Sequence, residues 1–508
     1  MDNNKIKTLG ELKKSGYISK SIKQEIRDNL ILKIKAKENP FPGILGYEDS
    51  VIPDTERALL SQHNILFLGL RGQAKTRMAR QMIELLDEYI PIVAGSEIND
   101  DPLKPVSKYA VDLIAEKGDD TPIAWLHKKQ RYGEKLATPD VSVADLIGDI
   151  DPIKAANLKL SFADEGVLHY GIIPRSNRSI FVINELPDLQ ARIQVSLFNI
   201  LEEGDLQIRG FKLRLPLDVL FVFTANPEDY TNRGSIVTPL KDRIESQILT
   251  HYPKSIETSL AITEQEAGIS EEQSSRVKVS DLIKRLIEQV AFEARGSELV
   301  DKKSGVSARL TISAYENAVS AAERRAIINN EKETQVWLSD LIGIIPSITG
   351  KIELVYEGEQ EGPYQVAFNL LEKSIRTQFG LYFPNPDTLK KKRSKEAAPD
   401  DNPYKSITRW FDAGNSLNNF FETKDEDKVQ LLYKVDGLHA LVKKYFKSAN
   451  EKENALLMEF VLHGLAAHSL ISKKVVEGKI EFKDLMGSML NIGSQHFSEE
   501  DFNEDDFN

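Results

Sequence analysis

Cysteine is absent from all 508 residues, which excludes disulfides, zinc–thiolate centres and thiol nucleophiles. No apolar run approaches the roughly 20 residues of a membrane-spanning helix, so no membrane contact is expected. The stretch 1–7 has no apolar core of a signal peptide, and a cytoplasmic location is the expectation. The eight histidines form no H-E-x-x-H or paired-ligand pattern, so a histidine metal centre is not expected. Basic residues are outnumbered: the net charge is −12, which argues against broad nucleic-acid binding. Half of the negative excess is concentrated at Glu499, Glu500, Asp501, Glu504, Asp505 and Asp506, with no basic residue among them.

What is present is a soluble globular composition, 41% hydrophobic and 28% charged, in a chain too long for one core. Residues 1–39 read as short polar helices. Residues 40–255 alternate strand-like apolar runs with helical patterns, the signature of an α/β layer fold with a parallel sheet. Residues 256–385 read as mostly helical, with one strand-like piece at 352–356. A linker is expected over 386–403, where Lys390, Lys391, Lys392, Arg393 and Lys395 precede Asp400 and Asp401. Residues 404–490 read as all-helical: Val429, Leu432, Val435, Leu438, Leu441 and Tyr445 recur at helical spacing, as do Leu457, Phe460, Val461, Leu465 and Leu470. The acidic tail 491–508 has too little apolar content for a core and reads as disordered.

The run from Asn64 to Leu68 is a buried-strand pattern that leads directly into Gly69, Leu70, Arg71, Gly72, Gln73, Ala74, Lys75 and Thr76. These residues fit G-x-x-x-x-G-K-[ST], with Ala74 in the second glycine place. Such a loop turns its backbone N–H groups toward phosphate oxygens, which requires small residues. Alanine keeps that turn if its φ is negative. Lys75 is then placed to neutralise β/γ-phosphate charge and the Thr76 hydroxyl to bind Mg²⁺. With Arg77 behind them, Gly69, Arg71, Gly72, Gln73, Ala74, Lys75 and Thr76 are the candidate nucleotide contacts, and ATP with Mg²⁺ is the expected cofactor. Met78, Met82, Leu85 and Leu86 follow at helical spacing.

A second buried strand, Ile180 to Ile183, ends in Asn184 and Glu185. In phosphate-loop enzymes an acid after such a strand holds Mg²⁺, and a following glutamate activates the attacking water. Here the metal-side position is a neutral amide, which accepts a hydrogen bond from a metal-bound water but supplies no charge. Restoring aspartate at 184 is therefore expected to raise Mg²⁺ affinity. A third strand, Leu217 to Phe223, leads to Asn226, where open α/β sheets bind ligands; Asn226 is a candidate for orienting the water.

This order of motifs resembles the AAA+ ATPases, and within them the ATPase subunit of magnesium chelatase and its MoxR-like relatives. The stretch from Pro40 to Glu48 looks like that group's entry box, which places Gly46 and Tyr47 against the adenine. Asn99 to Pro102 is similar to its Asn-x-Asp-Pro loop, Asp145 to Asp151 to the insert ahead of the second motif, and Leu206 to Leu215 to its hairpin. Leu240 to Ile244 resembles Leu-Leu-Asp-Arg-Phe, which implies that Arg243 is a finger acting on a neighbouring subunit's γ-phosphate. Gly305 to Arg309 resembles the lid sensor, which implies that Arg309 reaches the phosphates from its own subunit. The likeness implies a three-layer phosphate-loop core followed by a helical lid. It further implies a homo-oligomeric ring, expected to be a hexamer, and a client with a von Willebrand A-type domain. Two alternatives stand beside the ring motor: a nucleotide-gated scaffold that turns over little, motivated by Asn184, and the motor subunit of a true magnesium chelatase.

Overall fold

The computed structural model describes residues 6–159, 165–207, 214–227, 235–388, 402–447, 450–476 and 478–485. The chain divides into two units, residues 1–252 and 253–508.

The first unit is built on five strands: β1 (Ile65–Leu68), β2 (Tyr132–Leu136), β3 (Ser179–Asn184), β4 (Val219–Ala225) and β5 (Ser246–Leu249). They pair in the order β5-β1-β4-β3-β2, and every pair is parallel. Parallel sheets need cover on both faces, and alternate residues here serve two cores. Ile65, Phe67, Ile180, Val182, Leu220 and Val222 join one cluster with Met78, Met82 and Leu85. Leu66, Phe181, Ile183, Phe221 and Phe223 join another with Ile193, Leu197 and Leu240. This is the expected three-layer α/β arrangement. The N-terminal helices belong to it. Ile22–Ala36 buries Ile22, Ile26 and Leu30 in the first of these cores. Glu25 on that helix takes two hydrogen bonds from Arg131, at 2.6 and 2.7 Å, with both side chains buried. Between β1 and β3, the 148–150 and 168–170 strands of the insert pair antiparallel. The hairpin is present as Asp205–Gln207 paired with Arg214–Pro216; its tip lies outside the described residues.

The second unit is mostly helical. Its core joins α-helices Asp281–Gly296, Arg309–Ile328, Pro363–Tyr382 and Glu451–Ala467. The last is buried at every position from Asn454 to Leu465, so it is the central helix. Gly464 lets that helix approach Phe379: a Cβ there would overlap the ring. Phe379 also packs against Phe383, Tyr404 and Phe460, so residues expected for the lid and for the C-terminal region share one core.

Two expectations are corrected. The C-terminal region is not all-helical. Leu417–Phe420, Ser472–Val476 and Lys479–Lys483 form a three-stranded antiparallel sheet. The period-two stretch Lys479–Lys483 buries Ile480 and Phe482 on one face, a pattern too short to stand out beside the long helical stripes. The piece at 352–356 is not a strand. Leu354 makes a single bridge to Val300, and a helix begins at Tyr356. Residues 389–401 of the linker and the whole acidic tail lie outside the described residues.

Candidate functional site

The site forms at the C-terminal ends of β1, β3 and β4. The hydrogen bond from Gly69 N–H to the Ala225 carbonyl (3.1 Å) carries the ladder into the phosphate loop. A Cβ on Gly69 would collide with Thr250 Oγ1 and Gln73 Oε1, so any larger residue would have to displace that hydrogen-bonded pair. Gly72 has φ 71°, and Ala74 has φ 55°. The condition on Ala74 is thus overturned: alanine occupies the left-handed region at a cost of about 1–2 kcal/mol. The helix α1 (Lys75–Gln81) starts directly behind it and closes the turn. The loop is braced from outside. Tyr47 shares its one hydroxyl proton between the Gln73 carbonyl at 2.8 Å and the His251 carbonyl at 2.9 Å, and Thr250 Oγ1 donates to Gln73 Oε1 at 2.6 Å. Burial pushes the Tyr47 hydroxyl up to about 12, so it stays a donor at neutral pH. Gly46, at φ 81°, makes the turn into Tyr47. Arg71, Gly72 and Ala74 are exposed, while Arg77 is half-buried.

Two asparagines link the loop to carboxylates. Lys75 Nζ donates to Gly69 O, to Leu70 O at 3.0 Å and to Asn226 Oδ1 at 2.6 Å. Asn226 Nδ2 donates to Glu185 Oε2 at 2.9 Å. Thr76 Oγ1 donates to Asn184 Oδ1 at 3.2 Å, and Asn184 Nδ2 donates to Glu134 Oε1 at 2.6 Å. Thr224 Oγ1 contributes a further donor to Asn184 Oδ1 at 3.1 Å. Glu185 lies at φ 53°, a left-handed conformation held against its cost where β3 ends.

Sequence reasoning missed Glu134. It sits on β2, whose Tyr132-Gly133-Glu134-Lys135-Leu136 has no apolar run and becomes a sheet strand only by pairing with β3. Burial alone would raise the Glu134 carboxyl. Hydrogen bonds from Arg80, Tyr132 and Asn184 outweigh it and hold the group below its ordinary value.

Arg243 follows the helix Thr238–Asp242, pairs with Glu202 at 2.6 Å and lies over the Phe198 ring at 5.0 Å. Arg309 belongs to the second unit, where it opens the helix Arg309–Ile328.

The donor set around Thr76 is hydroxyl, amide and carboxylate oxygen, the chemistry that suits Mg²⁺. Among the described residues no group of three or more His, Cys, Asp or Glu side chains forms a cation cage.

No family model and no curated protein matches the chain. Solved structures match it only at low similarity. A candidate ATPase from Cytophaga hutchinsonii is 18% identical, with 72% of this chain and 98% of that one covered, at a TM-score of 0.27. A complex of the magnesium chelatase subunits BchI and BchD matches at 17% identity, 63% and 98% coverage and TM-score 0.33. NtrX from Brucella abortus in complex with ATP matches at 13% identity, 72% and 69% coverage and TM-score 0.33. The assignment of the fold itself rests on the parallel strand order and the loop that leaves β1.

Proposed function

We propose that this chain is an ATP-hydrolysing motor of the AAA+ type that assembles into a ring and remodels or activates a protein client. The observation that carries this reading is the Lys75–Asn226–Glu185 chain of hydrogen bonds. It joins the candidate phosphate-binding cation, the candidate sensor and the candidate water-activating carboxylate in one run of side-chain contacts, which supports a shared role at a γ-phosphate. Thr76 and Asn184 provide the metal side. When bound, Mg²⁺ would neutralise phosphate charge; Lys75 binds the phosphate, Asn226 orients Glu185, and Glu185 takes the proton of the attacking water. Arg243 would act on the site of a neighbouring subunit, with Glu202 and Phe198 holding its side chain ready. Arg309 is assigned the lid-sensor role by resemblance, as Gly46 and Tyr47 are assigned to the adenine. The magnesium-chelatase branch, the hexameric ring and a von Willebrand A-type client are the finer form of the proposal.

Retention of both Glu185 and Arg243 favours hydrolysis over a pure scaffold. The test is ATP turnover by purified chain, alone and mixed. Arg243→Ala should bind ATP nearly as parent does and lose most hydrolysis. Mixed with Glu185→Gln chains, it should recover part of the activity, because some interfaces then pair an intact Glu185 with an intact Arg243. Co-assembled rings that recover nothing would rule out a shared site.

A further inference from the structure

Asn184 stands where an aspartate is expected, and its surroundings determine how its amide is used. Oδ1 accepts from Thr76 and Thr224, while Nδ2 donates to Glu134 Oε1. Turning the amide over would press Oδ1 against Glu134 Oε1 at the same 2.6 Å, two acceptors in contact. The carboxylate therefore decides which atom of Asn184 faces the loop. Glu134 is itself fixed. Arg80 donates to both of its oxygens, at 2.9 and 3.1 Å, and Tyr132 donates to Oε2 at 3.1 Å. With the Asn184 amide this makes four donors on a group with about four lone-pair sites. The charge of Glu134 is thus committed to protein donors and reaches the loop through the amide. Arg80 lies one helical turn beyond Thr76 on α1, so the same helix supplies the loop hydroxyl and the clamp on the carboxylate.

We propose that Glu134 is a positioning residue for the nucleotide's divalent cation. It locks and polarises Asn184, so that the Glu134–Asn184 pair replaces the single carboxylate of a conventional site. The inference rests on reading the loop as a nucleotide site. It has a counter-intuitive consequence. Asn184→Asp does not improve the site, because it sets a second carboxylate against Glu134, and two such groups in contact cannot both stay ionised. Exchanging the roles, with Asn184→Asp and Glu134→Gln together, restores one carboxylate and one amide in hydrogen-bond contact.

The experiment uses the full chain and a fluorescent ADP carrying a methylanthraniloyl group. Its affinity is measured first in EDTA and then across a Mg²⁺ titration. The EDTA affinity of each protein is its own metal-free reference, and saturable binding there reports that the variant is folded. Glu134→Gln and Asn184→Asp should each raise the Mg²⁺ midpoint by about tenfold, the usual cost of losing an outer-sphere partner. The double variant should return to within about threefold of parent. A tighter Mg²⁺ midpoint for Asn184→Asp alone, or a double variant as weak as the product of the single losses, would overturn the pairing. Parental Mg²⁺ midpoints in every variant would overturn it too, with the nucleotide site intact. A parent that fails to bind the probe even in EDTA would instead sink the nucleotide reading, and the inference with it.

Discussion

The two units each hold a cluster of opposite charges, but they close them differently. In the second unit Arg325, at 1% exposure, donates to Asp340 at 3.0 Å and to Asp425 at 2.6 Å, and also reaches Thr334 and the Gln335 carbonyl at 2.9 Å. Trp337 adds a donor to Asp425 at 2.8 Å. Beside them Lys428 donates to Ser339 at 2.5 Å, and Glu459 accepts from the Leu338 and Ser339 backbone. All of these side chains are buried. In the first unit Thr76, Glu134, Glu185 and Asn226 are only half-buried, and the loop residues Gly72 and Ala74 are exposed. One cluster is completed by the protein and sealed. The other is linked by two asparagines and keeps a face open to solvent. Sealed charges specify a packing arrangement, because breaking one strands its partners. Half-exposed polar groups leave room for an incoming ligand.

The comparison is sharpest at Arg325. Arg325→Met should cost about 3–5 kcal/mol, because it leaves Asp340 and Asp425 buried without their cation. Urea denaturation followed by circular dichroism measures this. A loss below about 1 kcal/mol would mean that water reaches the cluster and the contrast is false.

Lys75→Ala tests the other side. It should weaken ATP binding by about 1.5–3 kcal/mol, a tenfold or larger rise in Kd, with little movement of the urea midpoint. If stability falls as far as in Arg325→Met while binding persists, the loop cluster is structural as well.

The smallest effect concerns pH. His463 is buried, with Nδ1 3.2 Å from Lys473 Nζ. Burial first, then the charges of Lys473 and Lys428, hold its imidazole well below the ordinary 6.5. The unfolded chain therefore takes up a proton that the folded chain refuses, and this contribution to stability is lost as pH falls below 6.5. His463→Leu should flatten the stability profile between pH 6.5 and 5.5 by up to about 1.4 kcal/mol per pH unit. An unchanged slope in urea titrations would place the imidazole in contact with solvent.

Much of the first unit was legible because buried parallel strands are continuous apolar runs and a phosphate loop is contiguous. Ile65–Leu68, Ser179–Asn184 and Val219–Ala225 appear close to where their patterns lie, and Lys75, Thr76, Asn184, Glu185 and Asn226 fall together at their ends. Strand β2 was illegible. A Tyr-Gly-Glu-Lys-Leu stretch carries no periodic signal, and only its register against β3 brings Glu134 beside Asn184. The short C-terminal strands were lost for the same reason, since each is stabilised by partners far along the chain.

By itself, the sequence determined the α/β class of the first unit, the mostly helical character of the second and the phosphate loop with its lysine and threonine. These are local properties, written in contiguous residues and in their period. Only the tertiary structure decided that Ala74 takes a left-handed turn, that Asn184 is backed by a carboxylate on the next strand, and that Arg325 meets Asp340 and Asp425. Those outcomes depend on which distant segments share a sheet or a core. A hydrogen bond between residues 50 or 100 positions apart has no counterpart in the periodicity of either segment.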